Sequence, residues 1–387
     1  MRYDVAVLGL GAMGSATAYQ LAAAGVSVIG FDRHDPPHAW GSTYGDTRIT
    51  RVGVGEGLAY APLARRSQEI WRDVERLTGS DLLTQCGGLV MGPAERGVAM
   101  HGTDTFLEST VRAAQAFDVE HEILQAAELG ARFSQFALAG DEQGYLEPGA
   151  GFVRPEAAVA TQLSLARTAG ARLVVDEQVL EYDDRGTHVS VRTAERTVEA
   201  TTLVVCAGPW VADLVPELAA RVKVHRQVQF WFDARDPSAY AALRDSPVYI
   251  WWSGVDPGDM MYGFPMLDGP SGGAKVASEQ YVTEATADDA DRTVGADEIE
   301  AMYELQVRHR LPGLSGHCVK ARACLYTVTE GSRFVIDRLP SSPNVIVASP
   351  CSGHGFKHSA AIGECLAQLV TRGESTIDLS PFALPGR

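Results

Sequence analysis

The amino-acid sequence predicts a mixed α/β protein in which one domain is built on a parallel sheet and a second domain on an antiparallel sheet. Three observations support this fold class. The chain of 387 residues is long enough for two or three units of about 150 residues. Its N-terminal segment alternates strand-like and helix-like stretches. Residues 223–264 contain several aromatic, β-prone runs, which are typical of an antiparallel sheet.

Composition and charge restrict the possible partners. There are 49 acidic side chains against 33 Lys and Arg, which gives a formal net charge of −16. Nucleic acids and anionic membrane surfaces attract clustered cations, so we expect neither as a partner. Hydrophobic residues make up 45% of the chain, which excludes a disordered protein. We find no apolar run of about 18 residues and no signal peptide, so we expect a cytoplasmic protein.

The strongest local pattern is a glycine-rich turn after the first predicted strand, Val5 to Leu8. The string Gly-Leu-Gly-Ala-Met-Gly at residues 9–14 has the spacing of a dinucleotide-binding turn. Gly9 allows the tight turn, Gly11 lets the backbone approach a pyrophosphate, and Gly14 lets helix and strand pack closely. The phosphates would lie at the helix N-terminus, where unpaired N–H groups favour anions. The predicted contacts are Gly9, Gly11, Ala12, Met13 and Gly14.

The segments after this turn complete a βαβ unit. A helix-like stretch runs to Ala24, and a second strand, Val26 to Phe31, ends at Asp32. A carboxylate at this place accepts hydrogen bonds from an adenosine ribose. The unit therefore predicts a Rossmann-type domain. It does not choose between FAD and NAD, and NAD-dependent β-hydroxyacid dehydrogenases have a similar glycine string.

The remaining elements indicate that the chain crosses between two domains. Residues 33–57 form an irregular stretch, and long loops of this kind are usually functional. The residues around Ala207-Gly208 end a strand that we expect to return to the nucleotide-binding sheet. Helices are predicted over 60–77, 155–169, 288–311 and 359–370, and strands over 87–91, 172–175, 188–192, 203–208, 227–232, 248–252 and 344–349. We expect residues 1–85, 150–220 and 317–387 in the FAD-type domain, and 86–149 and 221–316 in a catalytic domain.

The six cysteines do not form a recognisable framework. There is no CxxC pair, so neither a disulfide scaffold nor a metal site is expected. Most of them should be reduced, buried, small hydrophobic residues. They are Cys86, Cys206, Cys318, Cys324, Cys351 and Cys365.

Five further strings occur in order along the chain and carry a more specific signal. They are residues 41–51 (Gly-Ser-Thr-Tyr-Gly-Asp-Thr-Arg-Ile-Thr-Arg), 55–57 (Gly-Glu-Gly), 262–265 (Tyr-Gly-Phe-Pro), 324–327 (Cys-Leu-Tyr-Thr) and 352–357 (Ser-Gly-His-Gly-Phe-Lys). Together they resemble the monomeric sarcosine oxidase and N-methyltryptophan oxidase family of D-amino-acid-oxidase-like flavoproteins. The resemblance implies an FAD-dependent amine oxidase that converts an N-methyl or cyclic amino acid to an imine and reduces O₂ to H₂O₂.

The resemblance implies a role for each of several residues. Cys324 matches the cysteine that carries FAD as an 8α-S-cysteinyl thioether. Arg51 and Lys357 match a pair that binds the substrate carboxylate, a sensible use of a guanidinium fork and an ammonium point charge. Arg48 matches an arginine beside the flavin, and Lys275 matches a lysine that promotes reaction with O₂. Further implied contacts with FAD are Arg33, Ser42, Thr47, Val179, Trp210, Gly353, His354, Gly355 and Phe356, and further implied contacts with substrate are Tyr262, which also counts among the catalytic residues, and Tyr326.

Two positions depart from the family pattern. Tyr44 and Glu279 stand where the family has histidines, at the place where the non-carboxylate end of the substrate would lie. The resemblance therefore implies flavin chemistry without fixing the side chain of the substrate, and we expect both residues to contact it.

Two other functions remain open at this stage. The glycine string alone is compatible with an NAD-dependent dehydrogenase. A non-catalytic FAD-binding subunit would keep the glycines but would not need Arg51, Lys275 and Lys357. We expect a monomer or a homodimer that takes a small amino acid and O₂ as its reactants.

Overall fold

The computed structural model describes residues 2–94, 97–254 and 257–384. Within this part of the chain, two large sheets have eight and nine strands, and a third sheet has three short strands. Helices alternate with the strands of the first large sheet. The mixed α/β fold class predicted from the sequence is confirmed.

The bounds of the elements are as follows. The strands are β1 (Arg2–Leu8), β2 (Val28–Phe31), β3 (Arg48–Thr50), β4 (Leu83–Thr84), β5 (Gly88–Pro93), β6 (Glu122–Gln125), β7 (Glu142–Glu147), β8 (Gly151–Val153), β9 (Arg172–Val174), β10 (Val179–Asp184), β11 (Val189–Thr193), β12 (Thr197–Val205), β13 (Val222–Ala234), β14 (Val248–Trp252), β15 (Met260–Gly263), β16 (Ala274–Ala277), β17 (Glu284–Ala285), β18 (Leu314–Thr329), β19 (Val335–Leu339) and β20 (Ser342–Ser349). The helices are α1 (Ala12–Ala23), α2 (Ala61–Thr78), α3 (Phe106–Ala116), α4 (Ala126–Arg132), α5 (Pro155–Thr168), α6 (Val211–Leu214), α7 (Pro216–Ala219), α8 (Pro237–Arg244), α9 (Ala296–Met302), α10 (Arg308–Arg310) and α11 (Ser359–Arg372).

The eight-stranded sheet joins the first and last parts of the chain. Strand β1 lies between β12 and β2 and is parallel to both. Strand β12 is in turn parallel to β20. The side chains of Val5, Val204 and Ile346 are fully buried, as expected for parallel strands covered on both faces. The predicted return of the chain near residue 203 is confirmed, because β12 pairs with β1.

Helices α1 and α11 pack against each other over this sheet. A Cβ atom added at Gly363 would lie 2.4 Å from the Cβ of Ala16, so the two helix backbones approach closely. Such an approach is possible only where both residues are small. The segments that lead into these two helices, residues 11–13 and 353–357, line one cavity.

The nine-stranded sheet is largely antiparallel, as the aromatic runs predicted. Its order is β17-β13-β16-β15-β14-β5-β7-β6, with β18 paired to β13. The pair formed by β5 and β14 is parallel and is an exception. Large aromatic side chains such as Phe232, Tyr249 and Trp251 fill the core on this sheet.

The helix predicted over residues 288–311 is shorter in the structure. It begins at Ala296 and continues through a π-helical turn, Tyr303–Val307, to Arg310. Residues before it are held outside the helix because the guanidinium of Arg226 donates to the carbonyl oxygens of Asp291 and Thr293, both at 2.6 Å. These carbonyls are therefore satisfied by a side chain instead of by helical N–H groups.

The two-domain division predicted from the sequence stays a prediction, but the strands can be compared with it. All strands of the eight-stranded sheet lie within residues 1–85, 150–220 and 317–387. Strand β18 departs from the division. Residues 317–329 were expected in the FAD-type domain, yet they pair with β13 in the nine-stranded sheet. Because it pairs with β13, strand β18 crosses the domain boundary that was predicted between residues 316 and 317.

Cysteines, metal ligands and membrane spans can be stated for the described residues. All six cysteines are free thiols. Across residues 2–94, 97–254 and 257–384, there is no group of three or more His, Cys, Asp or Glu side chains that could hold a metal ion. In the same ranges, no helix combines the length and apolar character needed to cross a bilayer.

Candidate active site

A long cavity is lined by residues from both large sheets. One end is formed by the turn after β1 and by Asp32 at the end of β2. The other end is formed by Tyr262 on β15, Tyr326 on β18 and the segment before α11. The ends of neighbouring parallel strands are where ligands bind in open α/β sheets. The cavity therefore joins the predicted cofactor contacts to the predicted substrate contacts.

The glycine turn has the geometry that its sequence predicted. Gly9 has a φ of +84°, and a Cβ there would lie 2.4 Å from the carbonyl oxygen of Cys206. A Cβ at Gly14 would lie 1.7 Å from the carbonyl oxygen of Gly9, so only glycine permits this strand–helix contact. At Gly11, the nearest atom to such a Cβ is the Thr43 hydroxyl at 3.7 Å. A side chain at Gly11 would thus make no clash within the protein, and Gly11 lines the cavity where a phosphate is predicted to approach.

Asp32 and its neighbours form the nucleotide end of the cavity. The carboxylate of Asp32 accepts hydrogen bonds from the backbone N–H groups of Leu10 at 2.8 Å and His34 at 3.0 Å. The guanidinium of Arg33 lies 4.9 Å from the ring centre of Trp210. Both residues bind the carboxylate of Asp288, Arg33 at 2.9 Å and Trp210 at 2.7 Å. Val179, at the start of β10, also lines this end. The turn and the end of β2 therefore fit an adenine dinucleotide.

Two basic side chains, Arg48 and Lys275, bind the carbonyl oxygens of the loop of residues 42–48. The guanidinium of Arg48 donates to the carbonyl oxygens of Ser42 and Thr47, both at 2.9 Å. The ammonium of Lys275 donates to the carbonyl oxygens of Gly45 at 2.7 Å and Thr47 at 2.8 Å. Burial, with Arg48 adding to the effect, holds the pKa of Lys275 well below its ordinary value. These bonds fix the loop that carries four predicted contacts, Ser42, Tyr44, Thr47 and Arg48.

Cys324 lies on β18 and is almost fully buried. Burial raises the pKa of its thiol, while the charges of Arg48 and Lys275 oppose this. The amide of Gln229 donates to the sulfur at 3.4 Å. Cys324 and Tyr326 point to the same face of the strand because side chains alternate along it, and Tyr326 lines the cavity.

Arg51 and Lys357 converge, as predicted, but they converge on a carboxylate of the protein itself. The ammonium of Lys357 lies 2.9 Å from Glu56, and the guanidinium of Arg51 lies 3.1 Å from the same carboxylate. All three side chains are at least nine-tenths buried. Arg51 also covers the ring of Phe106 at 5.2 Å. Two buried cations need an anion between them, and Glu56 supplies it.

The pKa shifts in this cluster follow from burial and pairing. Burial would raise the pKa of Glu56, but Arg51, Lys357 and His101 hold it well below its ordinary value. Burial lowers the pKa of Lys357 to about 8, against the opposing charge of Glu56. Burial and the charge of Lys357 also hold the pKa of His354 well below its ordinary value. Glu56 is therefore charged and His354 neutral at pH 7.

A second carboxylate fixes the loop that carries Arg51. Glu147, at the end of β7, accepts hydrogen bonds from the N–H groups of Val52 at 2.8 Å and Gly53 at 2.9 Å. The hydroxyl of Tyr145 donates to the same carboxylate at 2.8 Å. A side chain at Gly53 would meet this tyrosine hydroxyl at 2.1 Å. The position of Arg51 is therefore set by the nine-stranded sheet.

Glu279 lies in the wall of the cavity and forms a buried network. Its carboxylate is 3.0 Å from Nε2 of His101 and accepts a hydrogen bond from the hydroxyl of Tyr281 at 2.7 Å. Burial opposes protonation of His101, but Glu279 and Glu56 raise the pKa of His101 to about 9. The imidazole connects the two carboxylates, since its Nδ1 lies 3.6 Å from Glu56.

The segment before α11 turns sharply at the cavity. Gly353 has a φ of +79°, and a Cβ at Gly355 would lie 1.6 Å from the carbonyl oxygen of Pro350. The ring of Phe356 stacks on Trp71 with centroids 6.0 Å apart. Residues 353–357 all line the cavity.

Not every predicted site residue lies in the cavity wall. The wall contains Gly9, Gly11, Ala12, Met13, Asp32, Arg33, Ser42, Arg48, Arg51, Val179, Trp210, Tyr262, Glu279, Tyr326, Gly353, His354, Gly355, Phe356 and Lys357. The predicted residues that lie outside it are Gly14, Tyr44, Thr47, Lys275 and Cys324. Gly14 is packed on Gly9, and the carbonyl of Tyr44 accepts a hydrogen bond from Arg48 at 2.5 Å. Contacts of all the predicted residues with a ligand, inside the wall or outside it, stay predictions.

The sequence reasoning missed four residues of the site. They are Glu56, His101, Glu147 and Tyr281. The Gly-Glu-Gly string at residues 55–57 did signal Glu56, because a charged residue between two glycines in a functional loop has room to approach other groups. The other three carry no local signal, since their partners are distant in sequence.

Comparisons with known proteins agree with this geometry. Residues 4–369 match the family described as DAO, FAD dependent oxidoreductase. The chain is 39% identical to a monomeric sarcosine oxidase from Streptomyces avermitilis over 382 residues, which cover 98% of this chain and 96% of the relative. It is 34% identical to an N-methyl-L-tryptophan oxidase from Escherichia coli over 387 residues, which cover 99% of each chain. The chain belongs to the DAO family of FAD dependent oxidoreductases.

Solved structures show the same fold. NikD, an amino acid oxidase of nikkomycin biosynthesis, superposes with a TM-score of 0.83 at 24% identity, and the match covers 99% of this chain and 97% of NikD. Glycine oxidase from Geobacillus kaustophilus superposes with a TM-score of 0.78 at 21% identity, covering 100% and 99% of the two chains. The family match confirms the flavoprotein prediction over the NAD-dependent alternative.

We predict that Glu56→Gln destabilises the flavin-loaded protein. The change leaves Arg51 and Lys357 buried without their counter-charge, and breaking such a buried network costs about 3–5 kcal/mol of the free energy of unfolding. Added acetate should recover part of the loss by placing a carboxylate between the cations. Denaturant unfolding with and without acetate measures both effects.

The matched control is Glu69→Gln. Glu69 also pairs with an arginine, Arg66 at 2.8 Å, but its side chain is half exposed on helix α2. Exposed pairs contribute little to stability, so this variant should unfold like the unchanged protein. Equal stability of the two variants would show that Glu56 does not hold the cluster together.

Proposed function

We propose that this chain oxidises a secondary amino acid, N-methyl or cyclic, to an imine and passes the electrons to O₂, forming H₂O₂. The observation that carries the proposal is the convergence of Arg51 and Lys357 on one carboxylate inside a buried cavity. The sarcosine and N-methyltryptophan oxidases among its relatives support the same reaction class. A non-catalytic FAD-binding subunit would have no use for such a cationic pair.

The carboxylate of the substrate would replace Glu56 between the two cations. Each cation offers a charge-assisted hydrogen bond, and such bonds are strong in a site that excludes water. This anchoring would fix the position of the substrate carbon next to the nitrogen. FAD, when bound, supplies the two-electron acceptor chemistry of this reaction. The imine of an N-methyl amino acid hydrolyses to formaldehyde and the primary amino acid.

The remaining predicted residues would act around this anchored substrate. Tyr262 and Tyr326 line the cavity beside it, and burial raises the pKa of both phenols, so both remain neutral donors. Arg48 places a positive charge near them. Lys275, held by the carbonyl oxygens of residues 45 and 47, would be protonated when negative charge develops beside it during reaction with O₂.

The proposed reaction and the binding of the substrate carboxylate by Arg51 and Lys357 are tested together by substrate turnover. We expect N-methylglycine, N-methyl-L-tryptophan or L-proline to release H₂O₂, whereas dimethylamine, which lacks the carboxylate, should be a poor substrate. Arg51→Ala and Lys357→Ala should each lower kcat/KM for the amino acid by about 10- to 100-fold, because one charge-assisted contact is lost. Turnover of dimethylamine should not change.

Two results would contradict this assignment. If the unchanged enzyme oxidised dimethylamine as fast as N-methylglycine, the cations would be structural and the substrate a plain amine. If no secondary amino acid released peroxide or bleached the flavin anaerobically, the chain would not be an oxidase of this class.

We further propose that FAD is attached to the sulfur of Cys324. The charges of Arg48 and Lys275 oppose the rise that burial causes in the pKa of this thiol, and the thiolate is the reactive species. Acid-precipitated protein should then remain yellow, and Cys324→Ser should release its flavin on precipitation. The control is Cys351→Ser, a half-buried thiol on the cavity wall. Colour retained by the Cys324→Ser precipitate would place the bond elsewhere or exclude it.

We also propose that Lys275 promotes reaction with O₂. Lys275→Met removes a buried charge, so reoxidation of the reduced flavin should slow by about 100-fold, while anaerobic reduction by substrate changes little. Stopped-flow absorbance separates the two steps. The control is Lys320→Met, whose ammonium also lies over Trp231 at 4.5 Å but is partly exposed and paired with Asp46. An equal effect of both variants would remove the special role of Lys275.

A further inference from the structure

The two carboxylate oxygens of Glu279 have different surroundings. Oε2 is bound on two sides, by Nε2 of His101 at 3.0 Å and by the hydroxyl of Tyr281 at 2.7 Å. Among the hydrogen bonds of the described residues, none is donated to Oε1. The side chain is 6% exposed, and the residue lines the cavity. Glu279 is thus held in place through Oε2, and Oε1 is available to accept a hydrogen bond from a ligand.

Gly353 shows where the second oxygen points. A Cβ added at Gly353 would lie 3.3 Å from Oε1 of Glu279 and 3.1 Å from the ring of Tyr326. The backbone at this residue has a φ of +79°, and it lies in the segment that leads to Lys357. The absence of a side chain at Gly353 keeps open the space between Oε1 and the residues expected to contact substrate.

The position of Glu279 relative to Arg51 and Lys357, the cationic clamp, determines which part of the substrate Glu279 would contact. Glu279, Arg51 and Lys357 line the same cavity, and the charge of Glu279 acts on Lys357. In an α-amino acid, the nitrogen is separated from the carboxylate carbon by one carbon atom. A substrate anchored by its carboxylate on Arg51 and Lys357 therefore has its nitrogen only a few bonds from the clamp.

We propose that Oε1 of Glu279 accepts a hydrogen bond from the protonated nitrogen of the substrate, so that this enzyme binds its amino acid as the zwitterion, which releases the ammonium proton to water before the carbon next to nitrogen is oxidised. The inference rests on the proposed function and names the form of the substrate that the same site selects. Glu279 is then a specificity-determining residue. Cations at one end of the cavity bind the carboxylate, and an anion on its wall binds the ammonium.

His101 and Tyr281 position this carboxylate. The imidazole of His101 and the hydroxyl of Tyr281 both contact Oε2, at 3.0 Å and 2.7 Å, and hold the side chain in place. Because both donors use the same oxygen, the other oxygen keeps its full capacity to accept a hydrogen bond from a ligand.

The test compares two ligands that differ only at the nitrogen. N-methylglycine has an ammonium group where methoxyacetate has an ether oxygen, which neither donates a hydrogen bond nor carries a charge. The Kd of N-methylglycine is taken from the concentration dependence of anaerobic flavin reduction. The Kd of methoxyacetate is taken from the change in absorbance of the oxidised flavin. Both are measured with the flavin-loaded enzyme and its variants.

We expect Glu279→Gln to weaken binding of N-methylglycine by about 10- to 100-fold, the value of one charge-assisted hydrogen bond. Binding of methoxyacetate should not weaken. Glu279→Asp keeps the negative charge and should bind N-methylglycine more tightly than the Gln variant. The control is Glu284→Gln, which removes a nearby glutamate whose side chain is 55% exposed and paired with Lys223.

The outcomes separate the inference from the proposed function. An equal loss of both ligands in Glu279→Gln, or no loss of either, would overturn the inference and leave Glu279 as a structural partner of His101. A Gln variant that binds N-methylglycine as tightly as the Asp variant would overturn it as well. If none of N-methylglycine, N-methyl-L-tryptophan and L-proline reduced the flavin of the unchanged enzyme, the proposed function would fail and the inference with it.

Discussion

The arrangement of the cavity depends on one buried carboxylate, that of Glu56. It joins Arg51, on an early loop, to Lys357, close to the last helix. Two cations so deeply buried would repel each other without an anion between them. The carboxylate thus keeps both charged groups in place. Under the proposed function, the carboxylate of the substrate would take the place of a chemical group that the cavity already holds between the same two partners.

Close backbone contacts connect the glycine turn to the two helices that begin at the cavity. Gly14 packs against Gly9, and Gly363 packs against helix α1. Any side chain at these positions would separate the glycine turn from the segment that carries Lys357. The ion pairs and the backbone packing therefore both fix the geometry of the cavity. The cluster fixes the distance between cations, and the glycines fix the distance between the helices that begin at the cavity.

Local patterns in the sequence were enough to predict the βαβ unit and the antiparallel sheet, while the family resemblance supplied most of the predicted residues that line the cavity. The glycine turn and Asp32 were predictable because their spacing reflects a contact within one short segment. His101 and Glu147 were not, because each acts through a partner far along the chain, and no periodicity records such a pair. The same limit explains residues 288–295, where a side chain from β13 replaces helical hydrogen bonds. The sequence likewise did not reveal that residues 317–329 pair with β13 in the nine-stranded sheet.

The position of β20 beside β12 has a consequence for the order of events during synthesis on the ribosome. A nascent chain that has emerged only to residue 316 contains the glycine turn, but it lacks Cys324, Lys357 and the strand that completes the central part of the sheet. Both large sheets need late residues, because β18 is the long partner of β13. Such a chain can form local helices and hairpins, yet it has no closed cavity. Capture of the cofactor is therefore one of the last steps in the maturation of this enzyme, after translation has passed the final strand.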